Sequence, residues 1–319
     1  MDKSELSSTV KKIRNDMRKD AGLNGDLDRI PQLTWLLFLK AYDDLEKQKE
    51  LLNPNKYVPM IDTGLRWRDW ASDENSGLTG DDLLDFVNNE LIPYLRELKG
   101  IEKGDSRDII SSIFKETNNR MLSGYLLRDV INSINTINFN NKDDIFTVSH
   151  IYESMLKELR DAAGDSGEFY TPRTVVRFMV DRISPEIGET VYDPACGTGG
   201  FLIESFESLK KQVTNTEELK LIQESIFGTE KKPLPYLLGM MNLLLHEIDS
   251  PNIIRNNSLS ISISEIGEKQ KYNIIITNPP FGGEEERGIL SNFPVHLRTS
   301  ETTLLFLILI MKSLKEDGK

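Results

Sequence analysis

Cysteine is all but missing from this chain of 319 residues: Cys196 stands alone. No intrachain disulfide can form, which fits a reducing compartment such as the cytoplasm. Histidine is nearly as scarce. His150, His246 and His296 are the whole supply; none falls in the motifs described below, and no metal centre is expected. Positive charge is short too, with 39 Lys and Arg against 51 Asp and Glu for a net charge of -12. Coating nucleic acid takes clustered Lys and Arg at the phosphates, so any DNA contact must be local or shared with a partner. The most apolar stretch, residues 304–311, is too short to span a bilayer. Residues 1–20 are charged throughout, without the apolar core of a signal peptide. What is present is the composition of a soluble globular protein, 38% hydrophobic and 28% charged, and length enough for two domains with a core each.

Residues 1–145 read as a helical domain, with few strand-like runs and no glycine-rich turn. Leu84, Val87, Leu91, Leu95 and Leu98 recur at helical spacing. Thr79 and Asp82 have the spacing of a capping box just upstream, and Pro93 is expected to kink or break the helix. Leu36-Leu37-Phe38-Leu39, followed by Ala41, Tyr42 and Leu45, predicts a second, well-buried helix. Two basic features suggest nucleic acid but have plainer explanations. In Arg66-Trp67-Arg68-Asp69-Trp70 the two indoles are three apart and share a helix face, which makes them core side chains before base-stacking platforms. Lys11, Lys12, Arg14, Arg18 and Lys19 read as a solvated helix face. The polar stretch 140–144 lacks a hydrophobic period and marks the domain boundary.

The second domain, 146–319, opens with a helix carrying Ile151, Met155 and Leu159 four apart and broken at 162–167. In Glu168-Phe169-Tyr170-Thr171-Pro172-Arg173, Thr171 is a natural N-cap and Pro172 a natural first helical residue for the stripe Val176, Met179, Val180 and Ile183. On the plainest view these six residues only start a helix. Strands are predicted at 190–193, 225–229, 252–255 and 273–277, and helices from 201 to 211, over 234–246 and over 302–314, with a polar loop between 211 and 225. This alternation predicts a parallel sheet with helices on both faces. Ligands bind such sheets at the strands' carboxyl ends, where Asp193, Glu230, Asn257 and Asn278 all fall.

The first of those ends is Asp193-Pro194-Ala195-Cys196-Gly197-Thr198-Gly199-Gly200-Phe201, a strand, a glycine-rich turn and a helix start. Glycines let the backbone turn tightly and approach a ligand, while an acid at the strand's end suits hydroxyls or an ammonium rather than phosphates. S-adenosylmethionine is the obvious candidate. A glycine turn after a strand is often only a turn; the reason to see more here is a second buried strand that ends in Asn278-Pro279-Pro280-Phe281. That element resembles the motif of methyltransferases that modify an exocyclic or side-chain amine.

An aromatic amine is a poor nucleophile because its lone pair is delocalised into the ring. A pair of acceptors that holds both its hydrogens makes the nitrogen more tetrahedral and aims the lone pair at a methyl donor. Asn278 offers a side-chain carbonyl and Pro279 a main-chain one, while Pro279 and Pro280 remove N–H donors and hold the segment extended. Phe281 can stack on a base flipped out of a duplex.

Taken together, 168–173, 193–202, Gly228-Thr229-Glu230 and 278–281 resemble the modification subunit of type I restriction-modification systems, and the helix around 36–40 resembles that family's N-terminal helical domain. The resemblance spans essentially the whole chain. It implies an α/β protein, a helical domain followed by a Rossmann-like, S-adenosylmethionine-dependent methyltransferase domain that modifies the N6 amine of adenine in DNA. It implies work with a specificity subunit, which brings the DNA target, and a restriction subunit, with two modification subunits per complex. It also implies that Glu168, Phe169, Tyr170, Thr171, Pro172 and Arg173 close over the cofactor. Pro194, Ala195, Gly197, Thr198, Gly199 and Gly200 would form its binding turn, Asp193 would lie near the methionine moiety and Glu230 on the ribose hydroxyls. Relatives usually carry an Asp at the adenine where this chain has Asn257, whose carbonyl can still accept from the amine. The run Glu284-Glu285-Glu286 is unexpected beside DNA. An RNA base or a protein glutamine would suit the same catalytic motif, and a scaffold that has lost catalysis is a third alternative. The family's sheet has seven strands followed by a helical segment that docks the specificity subunit. With four strands predicted, the chain is expected to stop before a fifth, leaving an unpaired edge beside Asn278 and part of the 304–310 helix uncovered. It would then fold and bind cofactor weakly, without measurable methyl transfer.

Overall fold

The computed structural model describes residues 3–52, 54, 57–72, 77–101, 105–163, 170–248, 251–282 and 285–319. The chain divides into two compact units, Met1–Gly164 and Asp165–Lys319.

The first unit is helical: α1 (Lys3–Arg18), α2 (Asp26–Leu52), α3 (Trp67–Trp70), α4 (Gly80–Asp85), a π-helical turn (Phe86–Leu91), α5 (Ile92–Glu97), α6 (Ser106–Phe114), α7 (Gly124–Asn135) and α8 (Lys142–Ala163). Its axis is α2, in which every residue from Gln32 to Asp44 is buried. A helix buried all round must pair its charges. Lys40 pairs with Asp44, and Arg68 reaches Asp43 at 2.7 Å and Glu50 at 2.6 Å. Trp67 and Trp70 are core residues as predicted, 2% and 6% exposed, edge to face at 5.2 Å. Lys11, Lys12 and Arg18 lie on the solvent face of α1 and Lys19 is exposed just past its end, while Arg14 bonds Glu158. Pro93 does not break its helix: the π turn before it carries the chain from α4 into α5 without an interruption. Thr79 takes the N-cap position of α4 with no side-chain bond, so the expected capping box does not form. Helix α8, which begins the second domain in the sequence expectation, packs on α1 and α2.

The second unit holds α9 (Arg173–Ile183), β1 (Val191–Asp193), α10 (Gly200–Lys210), α11 (Thr216–Glu224), β2 (Ile226–Glu230), α12 (Pro233–Leu245), β3 (Asn252–Arg255), β4 (Ile274–Ile275), α13 (Arg287–Leu290) and α14 (Thr302–Ser313). The four strands form one parallel sheet in the order β3-β2-β1-β4. Helix α10 packs on β1 and β2, and α12 on β2 and β3. Val191, Leu202, Phe206, Ile226, Leu238, Met241 and Ile274 fill the core between them, each at most 1% exposed. Helix α11 occupies the expected polar loop; Asn215 caps it by accepting from the Glu218 N–H at 2.9 Å. The outer edge of β4 is not left unpaired. Tyr272 makes a parallel bridge with Leu314, and Ile275 and Asn273 bond Lys319 at 2.9 and 2.8 Å. Helix α14 buries Leu305, Phe306 and Leu309 against Leu259, Ile263 and Phe293, and leaves Leu304, Leu307 and Met311 exposed.

Candidate functional site

The parallel sheet brings Asp193, Glu230, Asn257 and Asn278 to one side of the second unit, because each ends or directly follows a strand. Between β1 and α10 the backbone passes through left-handed conformations at Gly197 and Gly199, with φ of 51° and 77°, which glycine adopts at little cost. At Gly200 a Cβ would meet Arg173 Nη1 at 1.7 Å, so a side chain there would displace the Arg173 guanidinium. The turn is braced from beneath by Asn242, fully buried on α12, whose Nδ2 donates to the Thr198 carbonyl at 2.9 Å.

Two carboxyls face this turn. Glu230 Oε2 accepts from the Gly197 N–H at 2.9 Å and Oε1 from the Lys232 N–H at 2.7 Å. Burial raises its pKa above the ordinary glutamate value, and those donors oppose the rise. Asp193 is buried and accepts from the Ala195 N–H at 3.0 Å; burial pushes it up to about 7. Cys196 is also buried, which raises its thiol pKa and leaves it inert as a nucleophile.

A cleft opens over Pro194, Ala195, Gly197, Glu230, Asn257, Asn278 and Pro280, enclosing ≈ 670 Å³ with its open mouth included. A smaller hollow beside it is lined by Thr171, Asp193, Thr198, Gly200, Phe201 and Asn278. Thr171 is not the N-cap of α9, since Pro172 takes that position. Its hydroxyl instead accepts from Asn278 Nδ2 at 3.3 Å, which leaves Asn278 Oδ1 without a partner among the described residues. The Arg173 guanidinium lies 5.2 Å from the Tyr170 ring centre. Glu168 and Phe169 lie outside the described residues, as does Glu284. After Asn278 the Pro280 carbonyl accepts from the Thr303 hydroxyl of α14 at 3.3 Å, and Phe281 is 72% exposed.

This geometry has a counterpart in known sequences: the family model for N-6 DNA methylase matches residues 141–319. The chain belongs to the N-6 DNA methylase family. The HsdM N-terminal domain model matches residues 6–134. Among relatives, the methylase subunit of the type I restriction enzyme EcoEI from Escherichia coli is 46% identical over 98% of this chain and 64% of its own. The present chain therefore spans under two thirds of that subunit's length. A modification-subunit crystal structure from Vibrio vulnificus YJ016 superposes with a TM-score of 0.85 at 53% identity, covering 99% of this chain and 68% of its own. A chain of a type I restriction-modification system gives 0.87 at 42% identity, covering 99% and 62%. No helix among the described residues is long and apolar enough to cross a membrane.

Some contacts of the site had no signal in the sequence. The Asn242 brace and the Thr171 bond join residues 44 and 107 positions apart, beyond any local pattern. Glu285, expected only as part of an acidic run, lines the cleft.

Proposed function

We propose that this chain carries the catalytic site of an adenine-specific DNA methyltransferase and serves as the modification subunit of a type I restriction-modification complex. The observation that supports this most is the state of Asn278. Thr171 fixes its amide nitrogen, and its carbonyl oxygen is left available beside the cleft, as an acceptor for a target amine requires.

The residues present fit S-adenosylmethionine, which when bound supplies the sulfonium methyl that is transferred. Glu230, already held by two backbone N–H groups, would take the ribose hydroxyls, and Asp193 would hold the ammonium of the methionine end. Pro194, Ala195, Gly197, Thr198, Gly199 and Gly200 would form the turn that holds the cofactor, and Tyr170, Thr171, Pro172 and Arg173 would cover it. Asn278 Oδ1 and the Pro279 carbonyl would hold the two hydrogens of the adenine amine and so orient its lone pair for attack. Phe281, exposed in this structure, stacks on the extruded base and offsets part of an unstacking cost of roughly a few kcal/mol.

The partners that go with this reading are duplex DNA, a specificity subunit, a restriction subunit and a second modification subunit, in the cytoplasm. Likeness to type I subunits supports DNA over an RNA base or a protein glutamine. The test has two arms. Calorimetry with S-adenosylmethionine examines the site in this chain by itself. Methyl transfer is measured on the longest form its reading frame encodes, co-expressed with the neighbouring frames. Tritium recovered in N6-methyladenine is the expected result, and label in RNA or protein alone overturns the proposal.

A further inference from the structure

We infer that Glu285 reads the exocyclic amine of the cofactor's adenine, an inference that rests on the cofactor assignment above. Glu285 belongs to an acidic run, yet its side chain is only 11% exposed, and it lines the cleft together with Glu230, Lys231, Pro235, Asn257 and Phe306. With Glu230 on the ribose, the base would reach the carboxyl end of the neighbouring strand β3, which Asn257 follows.

Asn257 is already engaged on both sides of its amide. Its Oδ1 accepts from the Leu259 N–H at 3.0 Å and caps the short helical turn that begins at Ser258. Its Nδ2 donates at 3.3 Å to Glu285 Oε2. Lys231 Nζ stands 3.5 Å from the same oxygen, and the Glu285 backbone N–H bonds the Ser300 carbonyl at 3.4 Å. One carboxylate oxygen is thus fixed, while Oε1 has no partner among the described residues. Asn257 has the character of a positioning residue that aims a carboxylate donated by a later loop.

A carboxylate at that place accepts from the 6-amino group of a purine and repels the lone pairs of a 6-oxo group. The pocket therefore selects adenine by an interaction that neither Glu230 nor the glycine turn provides. The apolar surfaces of Pro235 and Phe306 complete a wall for a flat ring.

The inference is tested by calorimetry with S-adenosylhomocysteine and with its counterpart bearing hydrogen in place of the 6-amino group. The native chain is expected to bind the amine-bearing ligand about 10-fold more tightly or better, the effect of one hydrogen bond to a charged acceptor. Glu285→Ala should bind both ligands alike, at the weaker level. Glu285→Gln, which keeps the shape with a poorer acceptor, should show an intermediate preference. Glu230→Ala should weaken both ligands by the same factor. A Glu285→Ala protein that keeps the native preference, or a native chain that binds both ligands equally, overturns the role of Glu285 and leaves the cofactor assignment standing. A native chain that binds neither overturns the cofactor assignment and this inference with it.

Discussion

Glu230 is fixed at both oxygens by backbone N–H groups, so removing its carboxylate deletes two charge-assisted acceptors and also the partner of the Gly197 N–H in the turn. Glu230→Ala is expected to weaken S-adenosylmethionine binding by about 1.5–3 kcal/mol per hydrogen bond at most, read directly by calorimetry. Asn278→Ala should do the reverse, abolishing methyl transfer in the assembled enzyme while cofactor affinity stays within about twofold. Thr171→Val should lower kcat by a larger factor than it lowers cofactor affinity, and Thr171→Ser should restore kcat, because the Thr171 hydroxyl aims Asn278. Asp193 introduces a pH dependence. Its pKa of about 7 in the folded chain lies above the ordinary aspartate value of about 3.9, so between those values the folded state keeps a proton that the unfolded state has released. The contribution of Asp193 to stability accordingly falls as pH rises from about 4 to about 7. Binding of an ammonium runs the other way: affinity for the cofactor should rise by up to about 10-fold per pH unit below 7, and the rise should be absent in Asp193→Asn.

The turn between β1 and α10 is where element geometry and ligand contact coincide. Gly199→Ala forces a side chain into φ of 77° and sets its Cβ 3.3 Å from Leu243. We expect a loss of roughly 1–2 kcal/mol in urea unfolding, with weaker cofactor binding in the same variant. The strands were legible because their branched apolar runs, such as Ile274-Ile275-Ile276, sit between polar turns. The ligand-facing ends were legible for the same reason, since a parallel sheet places them by topology alone. Helix α11 was not: it has one fully buried residue, Ile222, too little for an apolar stripe. The break expected at Pro93 does not occur, because the chain runs through a π turn into α5 and no residue pattern announces a π turn. Thr171 carries every mark of an N-cap, but its hydroxyl is taken by a partner from another strand's end, and such a competition is invisible until the chain is folded. Asn257 and Glu285 were each noted as oddities; their meeting across 28 positions explains both.

At the level of the whole molecule, the net charge of -12 and a first unit whose arginines Arg14 and Arg68 are engaged with its own carboxylates argue for weak binding of bare duplex by this chain. Affinity and sequence choice are expected to appear together when a specificity subunit is added. Fluorescence anisotropy across a salt series would show this, and tight, salt-sensitive, sequence-selective binding by the isolated chain would contradict it. The strand order also has a consequence in time. β1 lies between β2, which follows it closely, and β4, which does not: Thr190 bonds Asn273 across 83 positions. On a ribosome adding 5–20 residues per second, that interval lasts roughly 4–17 s. For those seconds the strand that carries Asp193 has one open edge and the target-binding motif does not yet exist. Nascent chains arrested before residue 273 should therefore recruit chaperones, and chains arrested well beyond it should release them.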